Sequence, residues 1–150
     1  MYYKGTKYGI IGAGGFRLSE KFMEVGKRVH LAGVRTDTHV RLYVDGKLWV
    51  EYEAAPLAKE GALAPDAKLT LGPTSDGVAF RIRDVRVSQG ARYTKEFAPP
   101  ARIDTDKDTL ALYRCDEGAG DALKDSSGNN KHAKIANPKW WKPDAVEVPK

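Results

Sequence analysis

Two runs of alternating polarity meet at an Asp-Gly pair, and no other feature of this chain restricts its fold as much. Val40-Arg41-Leu42-Tyr43-Val44 alternates, stops at Asp45-Gly46, and resumes as Lys47-Leu48-Trp49-Val50-Glu51-Tyr52. Successive side chains of a strand point to opposite faces, so a period of two marks a half-buried strand. Asp and Gly both tolerate the positive φ of a type I′ turn, which makes this arrangement the strongest short-range sign of a hairpin.

The same pattern extends in both directions. Strands are expected over residues 8–12, 29–35, 68–72, 78–87, 109–115 and 134–136, with turns rich in Gly, Pro, Asp and Asn between them. In Val78-Ala79-Phe80-Arg81-Ile82-Arg83-Asp84-Val85-Arg86-Val87, the inward set is Phe80, Ile82, Val85 and Val87, with a phase slip at Asp84 where a bulge would sit. Helical patterning is weak. Residues 18–25 allow two turns and residues 54–64 one. Short strands at roughly ten-residue spacing predict an all-β, antiparallel sandwich.

Composition removes several classes. With 41% apolar and 30% charged residues the chain is neither disordered nor membrane-inserted, since no apolar run approaches the roughly 20 residues a bilayer requires. The N-terminal residues Met1-Tyr2-Tyr3-Lys4-Gly5 lack the apolar core of a signal peptide, so an export signal would have been removed or would belong to a longer precursor. A single cysteine, Cys115, excludes an internal disulfide and reads as a small buried hydrophobe. The net charge of +5 favours acidic partners, yet the bases are dispersed and no nucleic-acid motif accompanies them, so no nucleic-acid partner is expected.

Catalytic patterns are also weak. Gly12-Ala13-Gly14-Gly15-Phe16-Arg17 places Arg17 where a dinucleotide-binding turn needs its third glycine, so a glycine-rich hairpin is expected there. No strand carries the E-x-D-x-x-E set of carboxylates by which glycoside hydrolases place acid and base on one face. Asp116 and Glu117 are adjacent and would point oppositely. His30, His39 and His132 lack zinc-ligand spacing. The expectation is a non-enzyme.

Longer blocks resemble the laminin-G-like domains of the concanavalin-like sandwich group. Gly26-Lys27-Arg28-Val29-His30-Leu31-Ala32-Gly33-Val34 followed by Val40-Arg41-Leu42-Tyr43-Val44-Asp45-Gly46-Lys47 is similar to their "WHHVA…LRLYVDGK" hairpin. Phe80-Arg81-Ile82-Arg83-Asp84-Val85-Arg86-Val87-Ser88 resembles "IDEVRIS", and Ala91-Arg92-Tyr93-Thr94-Lys95-Glu96-Phe97 resembles "ARYT..F". Leu110-Ala111-Leu112-Tyr113-Arg114-Cys115-Asp116-Glu117-Gly118 with Asp125-Ser126-Ser127-Gly128-Asn129-Asn130 resembles "LALYHFDEG…DSSGNN". In most such domains this last block opens the sandwich, whereas here it closes the chain, and the front strands that normally precede Tyr8 are missing.

The resemblance implies a concanavalin-like jelly roll, partial or permuted. Residues 1–107 would form its main part, 108–142 would complete it, and 143–150 would be an extended tail. It implies an extracytoplasmic binding module for a glycan or a protein. Alternatively the chain is a structural subunit whose open sheet edge is filled by an upstream segment or a partner chain. Trp49, Tyr52, Trp140 and Trp141 are the candidate ligand-binding residues, because sugars stack on aromatic faces; Trp49 reads as core ahead of platform, and only one of the adjacent Trp140 and Trp141 could face a given ligand. Asp116, Asp125 and Asn129, with Asp121, offer hard oxygen ligands for a structural Ca²⁺. The competing reading of residues 125–129 is a tight turn closed by Asx hydrogen bonds. Beyond that ion no cofactor is expected.

Overall fold

The computed structural model describes residues 7–12, 15–22, 24, 26–54, 81–136 and 138–140. Among them the chain is all-β, with nine strands and no helix: β1 (Lys7–Gly12), β2 (Gly15–Phe22), β3 (Leu31–Arg35), β4 (His39–Val44), β5 (Lys47–Glu53), β6 (Val85–Ser88), β7 (Thr109–Tyr113), β8 (Ala122–Leu123) and β9 (Ala133–Lys134). Every pairing is antiparallel: β1 with β2, β3 with β4 and β4 with β5, β6 with β7, and β8 with β9. The expected strand over 68–72, the start of the one over 78–87, the turn over 54–64 beyond Ala54, Trp141 and the tail 143–150 lie outside the described residues.

The hairpin forms as its sequence dictates. Asp45 (φ 49) and Gly46 (φ 75) are both left-handed, which suits the right-handed twist of the strands they join. Val40, Leu42 and Val44 alternate with Arg41 and Tyr43, so β4 has two faces, and both are covered. Val40, Leu42 and Val50 lie on one face and Val34 and Tyr43 on the other, all buried. A strand in the middle of a sheet and apolar on both faces is a core strand. Tyr43 is only 1% exposed.

A second apolar cluster lies under the β6 and β7 pair. The register sets Val85 opposite Tyr113 and Val87 opposite Ala111. That face packs with Leu123, Cys115, Ala133, Ile135 and Trp140. The opposite face carries Arg86 against Leu112, the latter fully buried.

Three expectations are corrected. Residues 18–22 are the second half of β2, not helix. Leu18, Phe22 and Val25 fit helical spacing, but Phe16, Leu18 and Phe22 also fit a period of two. Pairing of Gly12 with Gly15 decides the matter by closing an antiparallel ladder, which also makes the glycine-rich run a hairpin. The strand expected through residue 81 begins only at Val85: Asp84 is left-handed (φ 52), so the phase slip is a break in the strand. Ile82 lies before that break and is 39% exposed, not inward-facing. The strand expected to 115 ends at Tyr113, because Cys115 is again left-handed (φ 55).

Candidate functional site

Two loops are bound tightly onto the sheets, and their sequences are two of the blocks singled out above. The first is residues 93–97, within the connection from β6 to β7. It docks on the tip of the β4–β5 hairpin. Phe97 N donates to Gly46 O (3.0 Å), Leu48 N donates to Glu96 Oε1 (3.2 Å), and Lys47 Nζ donates to Glu96 Oε2 (2.9 Å). The rings of Tyr93 and Phe97 stack at 3.6 Å and both meet Tyr43 edge-on. His30 closes the group, edge-on to Phe97 at 5.6 Å and to Tyr93 at 6.3 Å. Its backbone exchanges two bonds with Asp45: His30 N donates to Asp45 Oδ1, and Asp45 N donates to His30 O, both at 2.8 Å.

Arginines secure the rest of this connection. Arg86 donates to Asp104 O (2.8 Å) and to the Tyr93 hydroxyl (3.3 Å). Arg92 donates to Asp106 Oδ1 (2.7 Å), a carboxylate that also accepts from Thr109 Oγ1 and Asp108 N. The Arg92 bond, foremost, holds the Asp106 carboxyl below its usual range. Arg114 reaches Ile103 O (2.6 Å) and Asp84 Oδ1 (3.1 Å).

The second loop is the Asp-Ser-Ser-Gly-Asn-Asn turn. Asp125 is 5% exposed, and both its carboxylate oxygens are engaged. Oδ1 accepts from Leu112 N (2.9 Å) and Ser127 N (2.8 Å), while Oδ2 accepts from Ser127 Oγ (2.8 Å) and Lys131 N (3.0 Å). Burial alone would raise this carboxyl; the bonds from Leu112, Ser127 and Lys131 outweigh it and hold it well below the usual range. Asn129 Nδ2 donates to the carbonyls of Thr109 and Leu110 (2.9 and 3.2 Å), and the Tyr113 hydroxyl donates to Lys131 O (2.6 Å). The geometry at residues 125–129 is that of an Asx-bonded turn riveted to β7. Asp116 and Asp121 are exposed and have no part in these bonds. Among the described residues, no three His, Cys, Asp or Glu side chains gather as a metal would require.

The aromatic candidates are dispersed. Leu42 pairs with Val50 and Tyr43 with Leu48, so Trp49 is the extra residue of a β-bulge, half-buried. Tyr52 pairs with Val40 on the buried face of the sheet and is half-buried too. Trp140 lies in the other cluster, with its indole N–H donating to Gly120 O (2.7 Å). Trp49 and Tyr52 thus share β5, and Trp140 belongs to the packing of β6 and β7.

Two features escaped the sequence reading. Asp37, Thr38, His39, Glu53 and Ala54 line an open basin of about 370 Å³ where β4 begins and β5 ends, His39 standing opposite Glu53 in the ladder. In the sequence the docking of residues 93–97 is marked only by the aromatic pair spaced four apart. Cys115 is half-buried against the second cluster. Burial, then Glu117, Asp84 and Asp116, push its thiol up to about 11, which leaves it a poor nucleophile.

No family model, curated protein or solved structure matches this chain.

Proposed function

We propose that the chain is a non-catalytic binding module of the laminin-G-like sandwich type, recognising a glycan or a protein through the sheet surface around Trp49. The observation that carries this reading is the β-bulge at Trp49. A bulge re-aims the side chain of its extra residue and is a recurrent feature of binding sites. Here it presents a large, half-buried ring beside a hairpin tip held rigid by residues 93–97. Rigidity of this kind reduces the ordering cost of binding.

Two further observations support it. The blocks that resemble laminin-G-like domains interlock: the 93–97 block docks on the Asp45-Gly46 hairpin, and the 125–131 block is bound to β7. Three carboxylates are engaged by structure, Asp84 with Arg114, Asp106 with Arg92 and Asp125 with backbone amides. An extracytoplasmic location and a jelly-roll order of strands belong to the same proposal. No helix among the described residues is long and apolar enough to cross a membrane.

A glycan array probed with and without Ca²⁺ tests the proposal. Saturable binding is expected that weakens tenfold or more in Trp49→Ala, whose circular dichroism stays that of the parent. Binding that survives Trp49→Ala would remove this site. The second reading, a subunit completed at its sheet edge, is favoured by Leu31, half exposed on β3, an edge strand of its sheet among the described residues. It predicts a defined oligomer in light scattering and no glycan affinity.

A further inference from the structure

Residues 93–97 are the only described part of the β6–β7 connection that is bound to the β3–β4–β5 sheet by backbone, ion pair and ring contacts together. Leu48 and Glu96, which meet there, are 48 positions apart in sequence. At the centre of the contact is an ionisable ring. His30 Nδ1 is sealed from solvent and has no hydrogen-bond partner.

We propose that residues 93–97 form an acid-released latch with His30 as its proton sensor: protonation of the His30 ring frees the segment from the hairpin tip and uncouples the β3–β4–β5 sheet from the β6–β7 pair. The argument rests on which protonation state the pocket tolerates. A neutral ring leaves only a lone pair unsatisfied at Nδ1. A protonated ring must carry an N–H there, and a buried donor without an acceptor costs its full desolvation.

The groups facing His30 come from four elements. Tyr93 and Phe97 meet it edge-on from the latch, and Tyr43 of β4 packs behind them. Arg86 of β6 holds the Tyr93 hydroxyl and adds a positive charge. Among the described residues Asp45 of the turn is the anion that acts on the ring, and its Oδ1 already accepts the His30 backbone N–H. Glu96 and Lys47 are paired with each other across the latch. Burial, first, and then Arg86 lower the His30 pKa from its ordinary value, outweighing the opposite pull of Asp45 and of the residue's own backbone.

The sign follows directly. The closed latch favours neutral His30, and the open form takes up the proton more readily. Latch stability is therefore complete above the ordinary histidine value of 6.5 and is lost as pH falls below it. One proton sets the limit at about tenfold per pH unit. Release would uncover Tyr43, Tyr93 and Phe97, an aromatic surface of the sort partner proteins use.

Amide hydrogen exchange by NMR on the full chain between pH 7.5 and 4.5, corrected for intrinsic rates, reads the latch through Phe97 N–H and Leu48 N–H. Their opening is expected to rise by up to tenfold per pH unit as pH falls from 6.5 toward the His30 midpoint and to level off below it, while amides between β3 and β4 stay protected. The His30 ring resonances of the unmutated protein should titrate at that same midpoint, below 6.5. Glu96→Gln should keep the pH response; His30→Phe and His30→Gln should abolish it. Exchange at Phe97 that is flat with pH, a His30 midpoint at or above 6.5, or a pH response that persists in either folded His30 variant overturns the proposal.

Discussion

At the scale of single residues, Gly46 carries two constraints. Its φ of 75° lies where L side chains are strained, and a Cβ built there would stand 1.8 Å from Phe97 O. The first constraint alone costs about 1–2 kcal/mol. The second cannot be relieved by a rotamer change, because the obstacle is backbone. Gly46→Ala therefore has to push residues 93–97 off the hairpin and lose the bond from Phe97 N to Gly46 O. A loss of about 3 kcal/mol is expected, read as a fall in the urea midpoint with little change in slope. Gly128→Ala, also at positive φ but with no atom within 4 Å, is the control and should lose only the backbone term. The Asp-Gly pair was legible in the sequence as a turn. Its second role was not, since nothing local to residues 45–46 records that a segment from beyond position 90 must lie against them.

At the scale of elements, what the sequence showed and what it hid follow the range of the forces. Strands β3, β4, β5 and β7 were legible because a period of two is local, and the Asp84 slip was legible as a defect. β2 was not, because residues 16–25 fit two periods at once and the deciding bond, Gly12 to Gly15, belongs to the pairing. The Asx-bonded turn was readable from Asp125-Ser126-Ser127-Gly128-Asn129. The bulge at Trp49 was not, since an extra residue in one strand leaves no mark until its partner strand is known. Trp140, a candidate ligand residue by sequence, packs against the β6–β7 cluster while its indole N–H donates to Gly120 O, a long-range arrangement that no local pattern records. The connection between β6 and β7 illustrates the same point. Arg114 alone links Ile103 O, Asp84 and Asp104, with only 16% of its side chain exposed. A guanidinium reaches several acceptors in a fixed fork, and an ammonium does not. Arg114→Lys is thus expected to cost about 1–2 kcal/mol although charge is kept, because one carbonyl or carboxylate near residue 84 or 103 is left unpaired. Limited proteolysis between residues 98 and 108 should accelerate in step with it; an unchanged cleavage rate and midpoint would show that the loop does not depend on this fork.

At the scale of the whole molecule, two of the packed groups among the described residues are the β3–β4–β5 sheet and the β6–β7 pair with its Asp-Ser-Ser-Gly-Asn-Asn loop. Each group holds a carboxylate or imidazole whose ionisation the fold has shifted, and the shifts of His30 and Asp125 have the same sense of pH dependence. His30 is kept neutral and loses its contribution first on acidification. Asp125 is kept anionic by three backbone amides and a hydroxyl, with its folded value well below the usual carboxylate range. A depressed carboxylate contributes fully above its unfolded value near 3.8, and its contribution is lost as pH falls from there toward the folded value. Acid should therefore act in two stages: local release of residues 93–97 below 6.5, then global loss of stability below about 4. Asp125→Asn separates them. An amide is close in shape but turns an acceptor oxygen into a donor facing backbone N–H groups, so about 2–4 kcal/mol is lost at neutral pH. Denaturant midpoints measured from pH 7 to 2 should show the Asn variant falling less steeply below pH 4 than the parent, with the earlier loss below 6.5 retained in both. Parallel curves below pH 4 would mean that the acid limit of this fold lies in other carboxylates and that Asp125 only shapes its turn.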